Sequence, residues 1–296
     1  MYAAHGRTLV AGALFTVTGT FASPTADAAA IGGPASLASL TDGLIAWWPL
    51  DVDARDMSGN GHHGMINGAL PTIGRVGRGA YTFNGQDTYI RVPDSPELRL
   101  AQTDYTLAYH VRLEGETPYL HGILTKRPAT PPGTNGPAEQ RGWTTSITSS
   151  SNWRPEMRSG ALTHSVDSGG DPVVWTKREA VPPRNEWAHV AITYNVNAAQ
   201  IDFWVNGERQ APLSFDFSFQ NAYPSPSSIS FADLYLGRDS ARPAYFLHGS
   251  LDDVRIYGRV LSEDELRLLA TPAPPALALF GAALTALVIA QRRVAT

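Results

Sequence analysis

The sequence predicts an all-β domain built as a two-sheet antiparallel sandwich, and three observations carry that expectation. Between Gly43 and Tyr257 the apolar residues recur in short runs with an alternating phase, the period of a strand. The runs are punctuated by turn residues. The chain holds 27 glycines and 22 prolines, and Asn84-Gly85 and Asn206-Gly207 are hairpin signals. No alternation of strands with long helical periods occurs, which argues against a parallel α/β sheet.

Taken in order, Gly43-Leu-Ile-Ala-Trp-Trp-Pro-Leu50 opens the body as a strand with apolar residues in both phases, expected to be buried on both faces or to start under a covering strand. Asp51 to Gly64 follows as a loop in which Asp56, Asn60, His63 and three glycines gather. Tyr81 and Phe83 alternate with Thr82 and Asn84, and Tyr89-Ile-Arg-Val92 is the return strand. In Tyr105–Leu113 the residues Tyr105, Leu107, Tyr109, Val111 and Leu113 share one face. Ile123–Lys126 is a brief strand, Arg127 to Gly142 a long loop, and Trp143–Thr148, Ala161–Val166 and Val173–Lys177 are weaker strands. Ala188, Val190, Ile192 and Tyr194 form one face of the next strand, and Ile201, Phe203 and Val205 turn inward on its partner. That phase sends Trp204 to the opposite, open face. Leu234–Arg238 is a further strand.

The closing stretch, Gly249-Ser-Leu-Asp-Asp-Val-Arg-Ile-Tyr257, is a strand whose phase slips between Leu251 and Val254. A bulge there lets both ends face one core and aims Asp252 and Asp253 elsewhere. A short helix follows. Ser262 is its N-cap, Glu265 closes a capping box, and Leu261 with Leu266 fits a hydrophobic staple.

These segments resemble, in the same order, the laminin-G-like, concanavalin-A-like jelly rolls of bacterial surface proteins. The matching motifs are Asp56-Met-Ser-Gly-Asn-Gly-His-His-Gly64, Gly79-Ala-Tyr-Thr-Phe-Asn-Gly85, Trp187-Ala-His-Val-Ala-Ile-Thr-Tyr194, Phe203-Trp-Val-Asn-Gly207 and the closing strand. The resemblance implies a jelly-roll topology for residues 42–270, with first and last strands adjacent. It also implies a structural calcium held by Asp56, Asn60, the chain near His63, and Asp252, with Asp253 in reserve. A calcium ion takes 6–8 oxygens, and a glycine-rich loop can wrap one. The alternative for the same residues is that Asp56 caps a turn and Asp252 pairs with Arg255 or Arg75.

Both ends carry an address. Residues 1–30 have a short positive start, an apolar middle and an Ala-rich exit at Ala26-Asp-Ala-Ala-Ala30, the pattern of a secretory signal peptide. Residues 31–41 are a small-residue linker. In residues 271–296, Thr271-Pro-Ala-Pro-Pro275 precedes an uncharged, mostly apolar run, Ala276–Ala290, expected to be helical, and then Arg292-Arg293. This resembles the PEP-CTERM sorting signal, which an exosortase processes, although Ala273 stands where that motif has Glu. A plain membrane anchor is the alternative; either way the segment lies outside the fold and implies export to the cell envelope or extracellular matrix.

The chemistry is that of binding. A net charge of −4 gives no basic footprint for nucleic acid. The chain has no cysteine, which removes thiol catalysis and disulfides. No Gly-x-Ser-x-Gly elbow and no Glu-x-Asp-x-x-Glu run occurs, and His62-His63 lacks a spaced third ligand for zinc, so the domain is read as non-enzymatic. Seven tryptophans offer stacking surfaces. Trp47 or Trp48, and Trp187, are assigned to the core. Trp143, Trp153, Trp175 and Trp204 are the candidate ligand contacts. The expected partner is a polysaccharide or surface glycan. A structural or adhesive role without a small-molecule site, or a polysaccharide-cleaving enzyme, are the alternatives.

Overall fold

The alternating runs become strands in the computed structural model, which describes residues 38–117, 120–128, 141–148, 161–168, 173–177, 182–198, 200–210, 229–240 and 244–271. In chain order these are β1 (Leu44–Trp48), β2 (Met65–Asn67), β3 (Leu70–Thr72), β4 (Ala80–Asn84), β5 (Tyr89–Val92), β6 (Tyr105–Leu113), β7 (Leu120–Lys126), β8 (Arg141–Thr148), β9 (Leu162–Ser168), β10 (Val173–Lys177), β11 (Ala188–Asn195), β12 (Gln200–Val205), β13 (Glu208–Arg209), β14 (Leu234–Leu236) and β15 (His248–Tyr257), followed by helix α1 (Glu263–Ala270). Residues 1–30, expected to be a signal peptide, and the apolar run Ala276–Ala290, expected to be helical, lie outside the described residues. No helix among the described residues is long and apolar enough to cross a membrane.

The strands pair into two antiparallel sheets. Sheet A runs β13-β12-β11-β6-β15-β4-β3, with β1 also on β15; sheet B runs β10-β9-β8-β7-β14-β5-β2. Between them lies one core, to which sheet A gives Leu107, Tyr109, Val111, Val190, Ile192, Leu251, Val254 and Ile256, and sheet B gives Ile90, Val92, Ile147, Leu162, Leu234 and Leu236. The period-2 faces are those read from the sequence. The expectation that β1 is buried on both faces is corrected. Ala46 and Trp48 enter the core, whereas Trp47 is half-buried on the other side of the strand.

A second, smaller cluster covers the far face of sheet A. Helix α1 lays Leu266 and Leu269, with Leu261 before it, on Ala108, Ala191, Trp204 and Tyr257. Its start is the capping box read from the sequence, Ser262 accepting from the Glu265 N–H and Glu265 accepting from the Ser262 N–H. Glu265 has a further task. Arg259 grips its carboxylate with two nitrogens, at 2.7 and 2.9 Å, which ties the strand exit to the helix.

Strand β15 is the centre of sheet A. It keeps β6 on one side along its length, while on the other side it changes partner: His248–Leu251 pair with β4, and Val254–Tyr257 pair with β1. The register slips between Asp252 and Arg255. Asp253 takes the extra position with φ of 46°, a left-handed conformation that Asp tolerates better than most residues.

Candidate functional site

The change of partner at the bulge brings the start and end of the folded body together, and the predicted metal residues can be placed around it. Asp56 is buried in the loop after β1. Its Oδ1 accepts from the backbone N–H of Trp47 and of Ser58, both at 2.9 Å; its Oδ2 accepts from the Ser58 hydroxyl at 2.8 Å and the His62 N–H at 2.9 Å. Burial pushes its pKa up, but these bonds to the charged form outweigh burial and hold it below the usual carboxylate value. The amide of Asn60 donates to the carbonyls of Leu44 and Ile45, and Nδ1 of His63 accepts from the Asp56 N–H. The loop therefore folds over the free edge of β1 and satisfies it, the covering an edge strand needs.

That geometry is the alternative given for Asp56, a carboxylate that caps a turn. A carboxylate offers about four lone-pair positions, and four donors already point at Asp56, so it does not fit a cation. Among the described residues no group of three or more His, Asp or Glu side chains is arranged to hold a metal ion.

Asp252 has different partners. It is fully buried, and its Oδ2 accepts from the N–H groups of Arg75 and Val76 at 2.6 and 2.7 Å. Its Oδ1 has no partner. Burial raises its pKa to about 7; the Val76 N–H opposes this and the Asp253 charge adds to it. Asp51, a residue that the sequence reading passed over, receives the next N–H groups of the same loop, those of Arg78 and Gly79. The Gly74-x-x-Gly77-x-Gly79 stretch thus presents a row of N–H groups to two carboxylates of its own chain. The glycines fit because a Cβ at Gly74 would stand 2.8 Å from Asp252 Oδ2 and one at Gly77 2.6 Å from Asp51 Oδ2. Asp253 accepts from Trp47 Nε1 at 2.7 Å and from Arg255 at 3.0 and 3.1 Å, and the Arg255 guanidinium lies 4.6 Å from the Trp47 ring centre. Asp252 therefore takes Arg75 by its backbone, and Arg255 goes to Asp253.

The predicted stacking residues are redistributed too. Trp143 lies in the core between the sheets, 1% exposed, and cannot reach a ligand. Trp204 does face away from that core, but α1 covers it and leaves it 6% exposed; the sheet face expected to be open is closed. Trp175 lies on β10, in register with His164 of β9. Trp153 lies outside the described residues. Trp187 is half-buried beneath Arg112 rather than in the core, and Trp48 is the fully buried member of its pair.

Sheet B carries a different aromatic surface on its outer face. The register places Met65, Arg91, Tyr235, Thr125, Thr144 and Ser165 in one row across β2, β5, β14, β7, β8 and β9. Leu234 and Leu236 point into the core, so Tyr235 points out; Ile90 and Val92 do the same for Tyr89 and Arg91. Tyr89 and Tyr235 are half-buried, with ring centres 5.6 Å apart in an edge contact. Arg91 pairs with Asp233 at 3.0 Å beside them. Burial, then the Asp233 charge, raise the Tyr235 pKa, so its hydroxyl stays protonated as a donor. In the sequence these tyrosines are polar-phase residues of two short strands, and nothing there shows that the strands are neighbours.

Comparisons with known proteins agree with this architecture. The family model described as the concanavalin A-like lectin/glucanases superfamily, of laminin G type, matches residues 84–267. Among solved structures, the binding domain of Paraclostridial Mosquitocidal Protein 1 is similar at 17% identity and TM-score 0.54, over 78% of this chain and 52% of that one. Domain 4 of AbnA, a GH43 extracellular arabinanase from Geobacillus stearothermophilus, in complex with arabinotriose, is similar at 19% identity and TM-score 0.50, over 77% and 98%. The ligand binding domain of botulinum neurotoxin serotype D, in complex with N-acetylneuraminic acid, is similar at 13% identity and TM-score 0.54, over 79% and 52%. The chain spans about half the length of the toxin domains that it matches, and likeness at these identities speaks for the fold. The search of curated proteins finds no match. With the family match running from β4 into α1, over well more than half of its residues, the chain belongs to the concanavalin A-like lectin/glucanases superfamily.

Proposed function

We propose that this is a non-catalytic carbohydrate-binding domain whose contact surface is the outer face of sheet B around Tyr89 and Tyr235. The observation that carries the reading is the half-exposed tyrosine pair, 5.6 Å apart, rimmed by Arg91, Asp233 and Asn67. A sugar ring has an apolar face of C–H groups and a polar rim, and an aromatic surface edged by donors and acceptors complements both. That two of the similar domains are described in complex with arabinotriose and with N-acetylneuraminic acid supports the same class of ligand. The non-catalytic part is supported by the carboxylates. Asp56, Asp94, Asp253 and Glu265 are held by backbone donors, lysine or arginine, and none is left free to act as an acid and base pair across a cleft. A glycan array probed with the wild type, Tyr89→Ala and Tyr235→Ala tests the reading. Binding that both variants lose, with melting unchanged, supports it; wild-type binding that neither variant alters removes the tyrosine surface from it.

The proposal places the domain outside the cytoplasm, exported by residues 1–30 and held at or sorted from the membrane through residues 271–296. An exosortase is the processing partner if Ala273 is accepted in place of Glu. The support is the sequence pattern at the two ends, and the extracellular arabinanase among the similar proteins. Fractionation of cells with antibody to the domain, with and without residues 276–296, tests the address.

A second reading, a structural or adhesive surface protein, has one observation in its favour. Val52, Leu70 and Ile73 are 82%, 64% and 80% exposed near the β3 edge of sheet A. Absence of binding to any glycan, together with self-association that Leu70→Ser abolishes, would decide for it.

A further inference from the structure

We infer that the glycan this surface takes carries a carboxylate, and that Arg238 is the residue that reads it. The inference rests on the carbohydrate-binding reading and gives it a ligand class.

Gly237, with φ of 84°, turns the chain just past β14. The next side chain, Arg238, lies among three rings, with its guanidinium carbon 4.8 Å from the centre of Tyr89, 5.0 Å from Tyr235 and 5.2 Å from Phe246. Ring faces attract a cation and hold its plane, but they accept no hydrogen bond of ordinary strength. Among the described residues Arg238 makes no hydrogen bond and no ion pair, and its Nε is buried without an acceptor. The contrast with its neighbour is direct. Arg91 stands on the same face and is already paired with Asp233, whose other oxygen accepts from the Asp94 N–H at 2.9 Å. Asp233 is thus taken up, and the charge left over at the tyrosine pair is positive.

A guanidinium is a planar fork of N–H donors that matches a carboxylate. Held by three rings it is pre-oriented, so little freedom remains to be lost when an anion arrives. A sugar ring on either tyrosine would lie about one ring away from that fork, as the 4.8 and 5.0 Å separations show. A carboxylate borne on the sugar would then reach it, while a neutral sugar would leave the cation as it is. The chain as a whole has a net charge of −4 and does not attract polyanions in general, so selectivity for an acidic glycan has to come from a local group such as this one.

The test uses the full-length protein with two polysaccharides of one backbone, polygalacturonate with its carboxylates free and the same polymer with them fully methyl-esterified, and with polyacrylate as a polyanion that has no sugar. Isothermal titration at low salt is expected to show the wild type binding polygalacturonate at least tenfold more tightly than the ester. Arg238→Gln should bring the acid form down to the level of the ester and leave the ester unchanged, while Tyr235→Ala should weaken both. Circular dichroism melts show whether each variant folds, and Arg238→Lys, which keeps the charge but not the fork, should recover only part of the preference. Equal wild-type binding of acid and ester, or an Arg238→Gln variant that keeps the preference, overturns the inference and leaves the carbohydrate reading standing. Polyacrylate bound as tightly as polygalacturonate also overturns it. No binding to these polymers or to any glycan on an array overturns both.

Discussion

Asp252 and His110 stand opposite each other across the ladder between β15 and β6, and no hydrogen bond joins them. Both are buried. Burial lowers the His110 pKa to about 4; the Asp253 charge opposes this, and Arg255 and Arg75 add to it. Burial raises that of Asp252 to about 7. Between those values both side chains are neutral, so the pair is not an ion pair. His189 faces His110 from the other side, with ring centres 5.0 Å apart, and it too is held neutral by burial, its pKa well below the usual value.

The first prediction is a pH profile. His110, His121, His164 and His189 all bind their protons less readily in the folded chain, with values of about 4, 3 and 3 for the first three, than the ~6.5 of an unfolded chain. The unfolded state therefore takes up protons first, and stability falls as pH drops from ~6.5 towards 4. Asp252 has the opposite sign. Its folded pKa lies above the unfolded ~3.9, so its contribution is present at low pH and is lost as pH rises from ~4 through 7. Urea unfolding of Asp252→Asn against wild type is expected to show a stability advantage for the variant that grows between pH 5 and 8. An advantage independent of pH would refute the assignment.

Trp204→Ala is a packing change. The ring lies beneath α1, so its loss should cost roughly 3–5 kcal/mol. Tyr235→Ala, on the outer face of sheet B, should cost less than ~1.5 kcal/mol and act on binding instead. Denaturant midpoints for the two variants check the contrast.

Asp253→Ala leaves the half-buried Arg255 guanidinium without its carboxylate and frees the Trp47 indole N–H. The expected loss is about 3–5 kcal/mol. Asp253→Asn should recover part of it, since Asn keeps an acceptor and accepts positive φ.

Ser262→Ala removes the N-cap acceptor of α1 and should cost about 1 kcal/mol. Because Leu266 and Leu269 are what α1 lays on Trp204, near-ultraviolet circular dichroism of the tryptophans should weaken at a lower temperature in this variant.

A chelator should leave the melting temperature within about a degree of its value without chelator. The loop that offers Asp56, Asn60 and His63 is satisfied by β1 and by its own backbone. A drop of several degrees would show that the unpartnered Oδ1 of Asp252 finds a cation after all.

Much of the architecture was legible before the structure. The bulge followed from the phase slip after Leu251, the capping box from Ser262 and Glu265, and the core faces of β6, β11 and β12 from period-2 alternation. Local chemistry writes these features into neighbouring residues. The misread features depend on distant pairing. For Asp56 both a metal and a capped turn were open, because a carboxylate among glycines suits either, and the fold brings the backbone N–H groups of Trp47, Ser58 and His62 to it. Trp204 was placed correctly by phase, but an alternating strand carries no mark of the helix that covers it. Tyr89 and Tyr235 stand 5.6 Å apart because β5 and β14 are neighbours, which no spacing along the chain records.

The strand that joins β1, β4 and β6 comes last in the chain among the described strands. A chain emerging amino end first, from a ribosome or a translocation pore, holds three strands of sheet A that have no common partner until Tyr257 is out. Such long-range closure is slow, and it leaves sheet A open until β15 has emerged. A chain stopped before His248 would carry unpaired strand edges and is expected to aggregate rather than persist as a smaller native fold.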